Sequence, residues 1–383
     1  MAAQATRLPS SEVPDVGDGL WERIQAAVLA ESGAGKSLWN GRLDYIDAKE
    51  TNLGEAYGDG SLKLHREHVV RPLQEMYAKR GQRVTEAELI ERRMAFEVVA
   101  HEFGHLAVPE NYQIADRVAD MGIAETTAIE EGTNEAWSQA KTDALIDRAL
   151  PPDLALQLKA VDSPRLYPGW EPAARAFAED IGAELNLDPD EVLSVMNREP
   201  RSGKARAAAD LLFDKSELPR LVPPDQQAAV RLQLQGRIDQ AFADLRPLNA
   251  DTTVNRRSVA AQRGQAIAAG AVRTVRAAEK HFRAVQEAGR AAQNVQETSK
   301  PTQDLSALPP PNAADQRQDR PAPEDQKSGP VDPRIAFAQR MLGGQAPASG
   351  AVRPPQGPGE GRPQTGGRAA EHAAARSTDG PER

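Results

Sequence analysis

Three side chains stand out for the chemistry they could do together: His101, Glu102 and His105. They belong to His101-Glu102-Phe103-Gly104-His105, an H-E-x-x-H arrangement. The chain of 383 residues holds six histidines, so two of them four apart is an informative spacing. On a helix, positions i and i+4 share one face. Two imidazoles placed that way project together and can ligate one metal ion. Glu102 sits one step round, where its carboxylate can act on a water beside the ion without being a ligand.

Those roles need a helix, and the flanking residues predict one. Thr85 and Glu88 have the spacing of a capping box, which marks a helix start. Leu89, Ile90, Met94, Val98 and Val99 recur at helical spacing, and no Pro or Gly interrupts before Gly104. A second helical stretch, Thr126 to Leu150, carries Glu131 and Glu135 four apart in the order E-G-T-N-E. These two carboxylates also share a helix face. Ala128, Ile129, Ala136, Ala140, Leu145 and Ile146 supply the apolar side of that helix, and Trp137 covers part of the core. Glu130 points elsewhere round the helix and is expected to be solvated.

HEFGH followed by a helical E-G-x-x-E resembles the gluzincin class of zinc metallopeptidases. The resemblance covers about residues 45 to 150 and is one of motifs. It implies a His₂Glu zinc site with an open position for water. His101 and His105 are then two ligands, Glu131 is the third, and Glu102 is the general base. Glu135 becomes the carboxylate that orients a ligating imidazole. A rival alignment sets Asn134-Glu135-Ala136-Trp137-Ser138-Gln139 against the N-E-A-x-S-D of thermolysin-like enzymes. It makes Glu135 the ligand, but Gln139 stands where that pattern has Asp. We take Glu131. The long metzincin motif does not fit, because Val108 and Asn111 occupy its Gly and third-ligand positions. Asp116 and Asp120, four apart on another helical stretch, are the aspartate alternatives.

The class further implies a strand beside the active-site helix whose edge pairs with an extended substrate. Arg42–Ala48 and Ser61–Val70 alternate like the two arms of a β-hairpin with a long turn, and Leu62–Val69 is the candidate edge. His65 and His68 fall at its end as strand-end or surface histidines. The helical segments after Pro151 contain no histidine until His281, so the oxyanion-stabilising histidine of some family members has no counterpart there. Tyr112, Arg165 and Tyr167 are the candidates to replace it.

The rest of the chain bounds this reading. A net charge of -9 does not favour nucleic acid as a partner. The absence of cysteine excludes a disulfide framework and thiolate zinc sites. No apolar run reaches the length of a membrane span. The first residues do not read as a secretory signal. The cytoplasm is the expected location, or the exterior by a leaderless route, for which Trp39-Asn40-Gly41 spells a W-x-G signal. Ala30 to Ser37 nearly spells a phosphate-binding loop. It follows an amphipathic helix rather than a buried strand, so it reads as a helix end plus loop.

The expected fold is α+β and mainly helical. A flexible lead (1–18) precedes a zincin-like catalytic domain with a short β-hairpin or small sheet (19–150). A helical C-terminal lobe (151–248) and a long Ala/Arg-rich helix (252–298) follow, then a disordered Pro/Gly-rich tail (299–383). Helices are predicted at Ala173–Leu187, Pro189–Arg198, Ser202–Lys215 and Pro224–Leu245. The long helix, with its stripe Val272, Val275, Phe282 and Val285, and the 333–342 segment are the candidate contacts for a protein partner. The function expected is zinc-dependent hydrolysis of a polypeptide substrate. The alternative is a non-catalytic zincin-like scaffold, for example an accessory of a secretion or phage-related assembly.

Overall fold

The computed structural model describes residues 19–46, 49–164, 166–250 and 255–298, and the chain is mainly helical with two small sheets. The lead at 1–18, the tail at 299–383 with its 333–342 segment, and Arg165 lie outside the described residues. No helix among the described residues is long and apolar enough to cross a membrane.

Helix α1 (Leu20–Ser32) buries Leu20, Trp21, Ile24, Ala27 and Val28. Four short strands follow, β1 (Lys36–Ser37), β2 (Leu43–Ile46), β3 (Gly54–Ala56) and β4 (Leu62–His65). A π-helical turn, Arg66–Val70, leads into α2 (Arg71–Ala78). The long α3 (Glu86–Leu106) starts on a complete capping box, with Thr85 and Glu88 bonding reciprocally. It runs directly into β5 (Ala107–Val108), which pairs with β1. Residues 30–37 are thus the end of a helix and a strand beside the motif helix, with no strand–loop–helix unit for a phosphate.

The larger sheet has the order β2-β4-β3, with β2 parallel and β3 antiparallel to β4. This corrects the hairpin expected from Arg42–Ala48 and Ser61–Val70. Those two segments run parallel, and the antiparallel partner comes from the Gly-rich stretch between them. It also corrects the edge. Leu62–His65 is the central strand, with its backbone paired on both edges. The edge beside α3 is β3.

Helix α4 (Ile114–Met121) leads to α5 (Thr127–Ala149), which packs against α1 and α3. The helices α6 (Pro152–Lys159), α7 (Glu171–Leu185), α8 (Pro189–Asn197), α9 (Lys204–Lys215), α10 (Leu218–Leu221) and α11 (Pro224–Ala243) follow. Asp188 caps α8 through the backbone of Asp190, as the Asp-Pro-Asp-Glu start predicts. α7 and α8 lie on α5, and α9 packs on α8 and α11.

Helix α12 (Arg256–Thr298) begins in the same compact unit, which extends to Lys280. Its buried residues there are Ala260, Gly264, Ile267, Ala268, Ala271, Thr274, Val275 and Ala278, a seam of mostly small residues; of the expected stripe, Val275 and Phe282 are buried and Val285 is exposed. Small side chains allow the backbones to approach. A Cβ on Gly264 would fall 2.0 Å from the Ala173 carbonyl oxygen of α7. Gly264→Ala is therefore expected to destabilise the protein by about 1–3 kcal/mol through overpacking. Gly270→Ala has no atom nearer than Arg273 Nη2 at 3.8 Å and should be neutral or stabilising. Thermal melts of the two variants check this, and equal melting points would remove the close approach as a cause.

Candidate metal centre

The two motif helices meet at a point set by Gly104 and Asn134. A Cβ on Gly104 would fall 2.1 Å from Asn134 Oδ1, so the glycine leaves the space that the Asn134 amide fills between α3 and α5. Asn134 Nδ2 donates to the His101 carbonyl at 2.8 Å and fixes the crossing. The crossing brings the acidic face of α5 under both imidazoles.

His101 Nε2 and His105 Nε2 lie 3.0 Å apart. Glu131 Oε2 is 3.3 Å from the first and 3.4 Å from the second. Three ligands at about 2.0–2.1 Å from one zinc, at tetrahedral angles, stand roughly 3.3 Å from one another. His101, His105 and Glu131 are the group among the described residues whose ligand atoms converge in this way, and they could hold a metal ion.

Each imidazole is also held from its far side. Glu135 Oε2 lies 2.9 Å from His101 Nδ1, and Glu130 Oε1 lies 2.6 Å from His105 Nδ1. Glu130 is thus not solvated, contrary to the sequence expectation. It is buried under α9, with Lys204 Nζ at 3.3 Å from its second oxygen. Asp116 instead accepts from the Gln113 backbone at the start of α4, and Asp120 accepts from Tyr112 and Ser202. Neither belongs to the ligand group. His65 is buried rather than exposed, and its Nδ1 accepts from the His68 N–H as the cap of the π-helical turn.

The charges fit a divalent cation. Glu102, Glu130, Glu131 and Glu135 crowd this region, and the buried cations facing them are Lys204 and Arg117. Four carboxylates against two cations leave two positive charges to be supplied. Without an ion they come as protons, on the imidazoles or on the buried Glu102. Burial opposes a charged His101, but its bonds to Glu131 and Glu135 prevail and hold its pKa well above the ordinary value. His105 is raised in the same sense, with burial opposed chiefly by the charge of Glu131. Two imidazoliums with their Nε2 atoms 3.0 Å apart would aim protons at each other. One divalent ion supplies the same charge without that conflict, and its binding would release the protons.

Glu102 lies outside this ligand group. Its carboxylate faces Gly54 of β3, where a Cβ would fall 2.7 Å from Oε1. Burial raises its pKa above the usual carboxylate range, against the pull of His101 and His105. Such a carboxylate is a better proton acceptor than an exposed one.

His101, Glu102, His105 and Glu131 line an open cleft of about 2370 Å³, which β3, Tyr167 and Arg117 also border. Arg117 donates to the carbonyls of Ala56, Tyr57 and His105 at 2.7, 2.9 and 2.6 Å and so ties β3 to the end of α3. Tyr167 stacks on His101, ring centroids 5.4 Å apart, with its backbone in the left-handed region at φ 44°. Burial, then the charges of Glu131, Glu102 and Glu135, keep its hydroxyl protonated far above the ordinary range. Tyr112 is committed to Asp120 at 2.7 Å.

Glu130, Arg117 and Lys204 are the members of this cluster that the sequence reading missed. The Glu130-Glu131 doublet on the helix was the available signal for the first. Arg117, like Lys204, had no pattern to mark it. Comparison with protein-family models, curated proteins and solved structures returns no match for this chain.

Proposed function

We propose that this chain is a zinc-dependent peptidase of the gluzincin type. The observation that carries the reading is the joint placement of His101, His105 and Glu131 as one ligand group with Glu102 beside it, unligated, in an open cleft. His101, His105 and Glu131 would hold the zinc ion, which would supply Lewis-acid chemistry to a scissile carbonyl and to a water. Glu102 accepts the proton of the attacking water and passes it to the leaving amine. Glu135 and Glu130 keep the two imidazoles oriented.

Substrate binding falls to β3. Leu53 and Tyr57 bond to His65 and Ser61 of the neighbouring strand segment. The alternation of an antiparallel ladder then turns the N–H and C=O of Gly54 and Ala56 outward. The Ala56 carbonyl is already taken by Arg117, so Gly54 is the pairing point for an extended peptide.

Tyr167 brings a hydroxyl to this chemistry, since its ring stacks on His101 and it lines the cleft. It is assigned to the oxyanion. Tyr167→Phe should lower kcat by roughly 10²–10³-fold with little change in KM. A kcat within twofold of wild type would remove Tyr167 from the chemistry. The reading as a whole is tested by zinc stoichiometry of the purified protein together with cleavage of an unbiased peptide library. Wild-type protein that takes up no zinc would overturn it.

A further inference from the structure

Lys204 is the first residue of α9, and its side chain is only 2% exposed. Lysine is rarely buried unless paired. The start of a helix does not help it, since the positive end of the macrodipole disfavours a cation there. What accompanies it is specific. Nζ donates to Asn197 Oδ1 at 3.0 Å and lies 3.3 Å from Glu130 Oε2. The other oxygen of Glu130 is 2.6 Å from His105 Nδ1, and His105 Nε2 belongs to the ligand group. Asn197, Lys204, Glu130 and His105 thus form one path from α8 and α9, through α5, to a metal-binding nitrogen on α3.

We infer that Lys204 is a positioning residue for the metal site, holding Glu130 as the outer partner of His105 and away from the ion. Glu130 is the sequence neighbour of Glu131 on α5, and both carboxylates lie on the histidine pair. An unrestrained Glu130 has two courses open to it. It can leave His105 free to rotate, or it can swing in as a competing ligand beside Glu131. Lys204, anchored by Asn197, opposes both through its ion pair with Oε2, which leaves Oε1 for the imidazole and His105 Nε2 directed at His101 and Glu131. The inference rests on the reading that these residues bind a divalent ion.

The test uses the full chain, with zinc and cobalt(II) as probes. Lys204→Met is expected to weaken zinc roughly 10–100-fold, as the loss of an outer partner of a ligating histidine does. It should also change the visible spectrum of the cobalt-loaded protein, because a freed Glu130 alters the coordination. Lys204→Arg keeps the positive charge beside Glu130 and should retain wild-type affinity and spectrum. Glu130→Gln should weaken zinc by a similar factor. The double variant Lys204→Met/Glu130→Gln, which removes both buried charges together, should be no weaker than Glu130→Gln alone. The double variant also serves if Lys204→Met alone does not fold. A Lys204→Met protein with a lowered melting point but wild-type zinc affinity and cobalt spectrum would overturn the inference, as would additive losses in the double variant. If wild type binds neither ion, the metal reading itself fails. If wild type binds both and Lys204→Met matches it, only the role of Lys204 fails.

Discussion

Glu102→Gln is expected to keep the fold and the zinc while lowering peptide cleavage by ~10²–10⁴-fold. The carboxylate lies beside the ligand group without belonging to it, and it faces Gly54 on the strand proposed to hold substrate. The amide is nearly isosteric, so it fits the same space but cannot accept the proton. Because the same group also protonates the leaving amine, the loss is expected at the upper end of this range or beyond it. The measurement is cleavage of an unbiased peptide library by wild type and variant, with zinc content determined in both. Equal cleavage by the two proteins would assign the activity to a contaminating protease. A variant that lost its zinc would show that Glu102 is a ligand and would require another base.

The second large effect separates the two carboxylates four apart on α5. Glu131 brings an oxygen to 3.3 and 3.4 Å from the two Nε2 atoms, whereas Glu135 sits on the opposite nitrogen of His101 at 2.9 Å. Glu131→Ala should therefore abolish stoichiometric zinc. Glu135→Ala should weaken binding by roughly 10–100-fold, the usual cost of removing an outer partner. It should also loosen Leu166, whose N–H is bonded to Glu135 Oε1 at 3.1 Å, and with it the neighbouring Tyr167. Zinc titrations of the two variants decide the matter. Loss of the metal from Glu135→Ala with retention by Glu131→Ala would favour the thermolysin-like alignment over the one taken here.

Much of the local structure was legible because it depends on neighbours in sequence. The Thr85–Glu88 box fixes the start of α3, and the Asp188-Pro189 start fixes α8. Helical periodicity places α7, α9 and α11 within a few residues of their expected spans. The strands were read less well. Gly54–Ala56 has no alternation to announce it, being three residues with a glycine and an alanine. It is a strand by its backbone pairing with β4, a tertiary contact that local pattern does not encode.

What the sequence determined by itself is the set of side chains that share a helix face. His101 with His105, and Glu131 with Glu135, follow from 3.6 residues per turn and need no knowledge of the fold. Tertiary structure decided what each face meets. The close crossing at Gly104 and Asn134 puts two imidazoles against one acidic helix, where both Nε2 atoms share Glu131 while the Nδ1 atoms meet Glu135 and Glu130 separately. Glu130 shows the limit most clearly. Its position round α5 is fixed by its number in the chain, yet whether that side is wet or buried depends on α9, which lies more than seventy residues later and brings Lys204 over it. Solvation is a property of what packs against a face, and sequence periodicity carries no information about that.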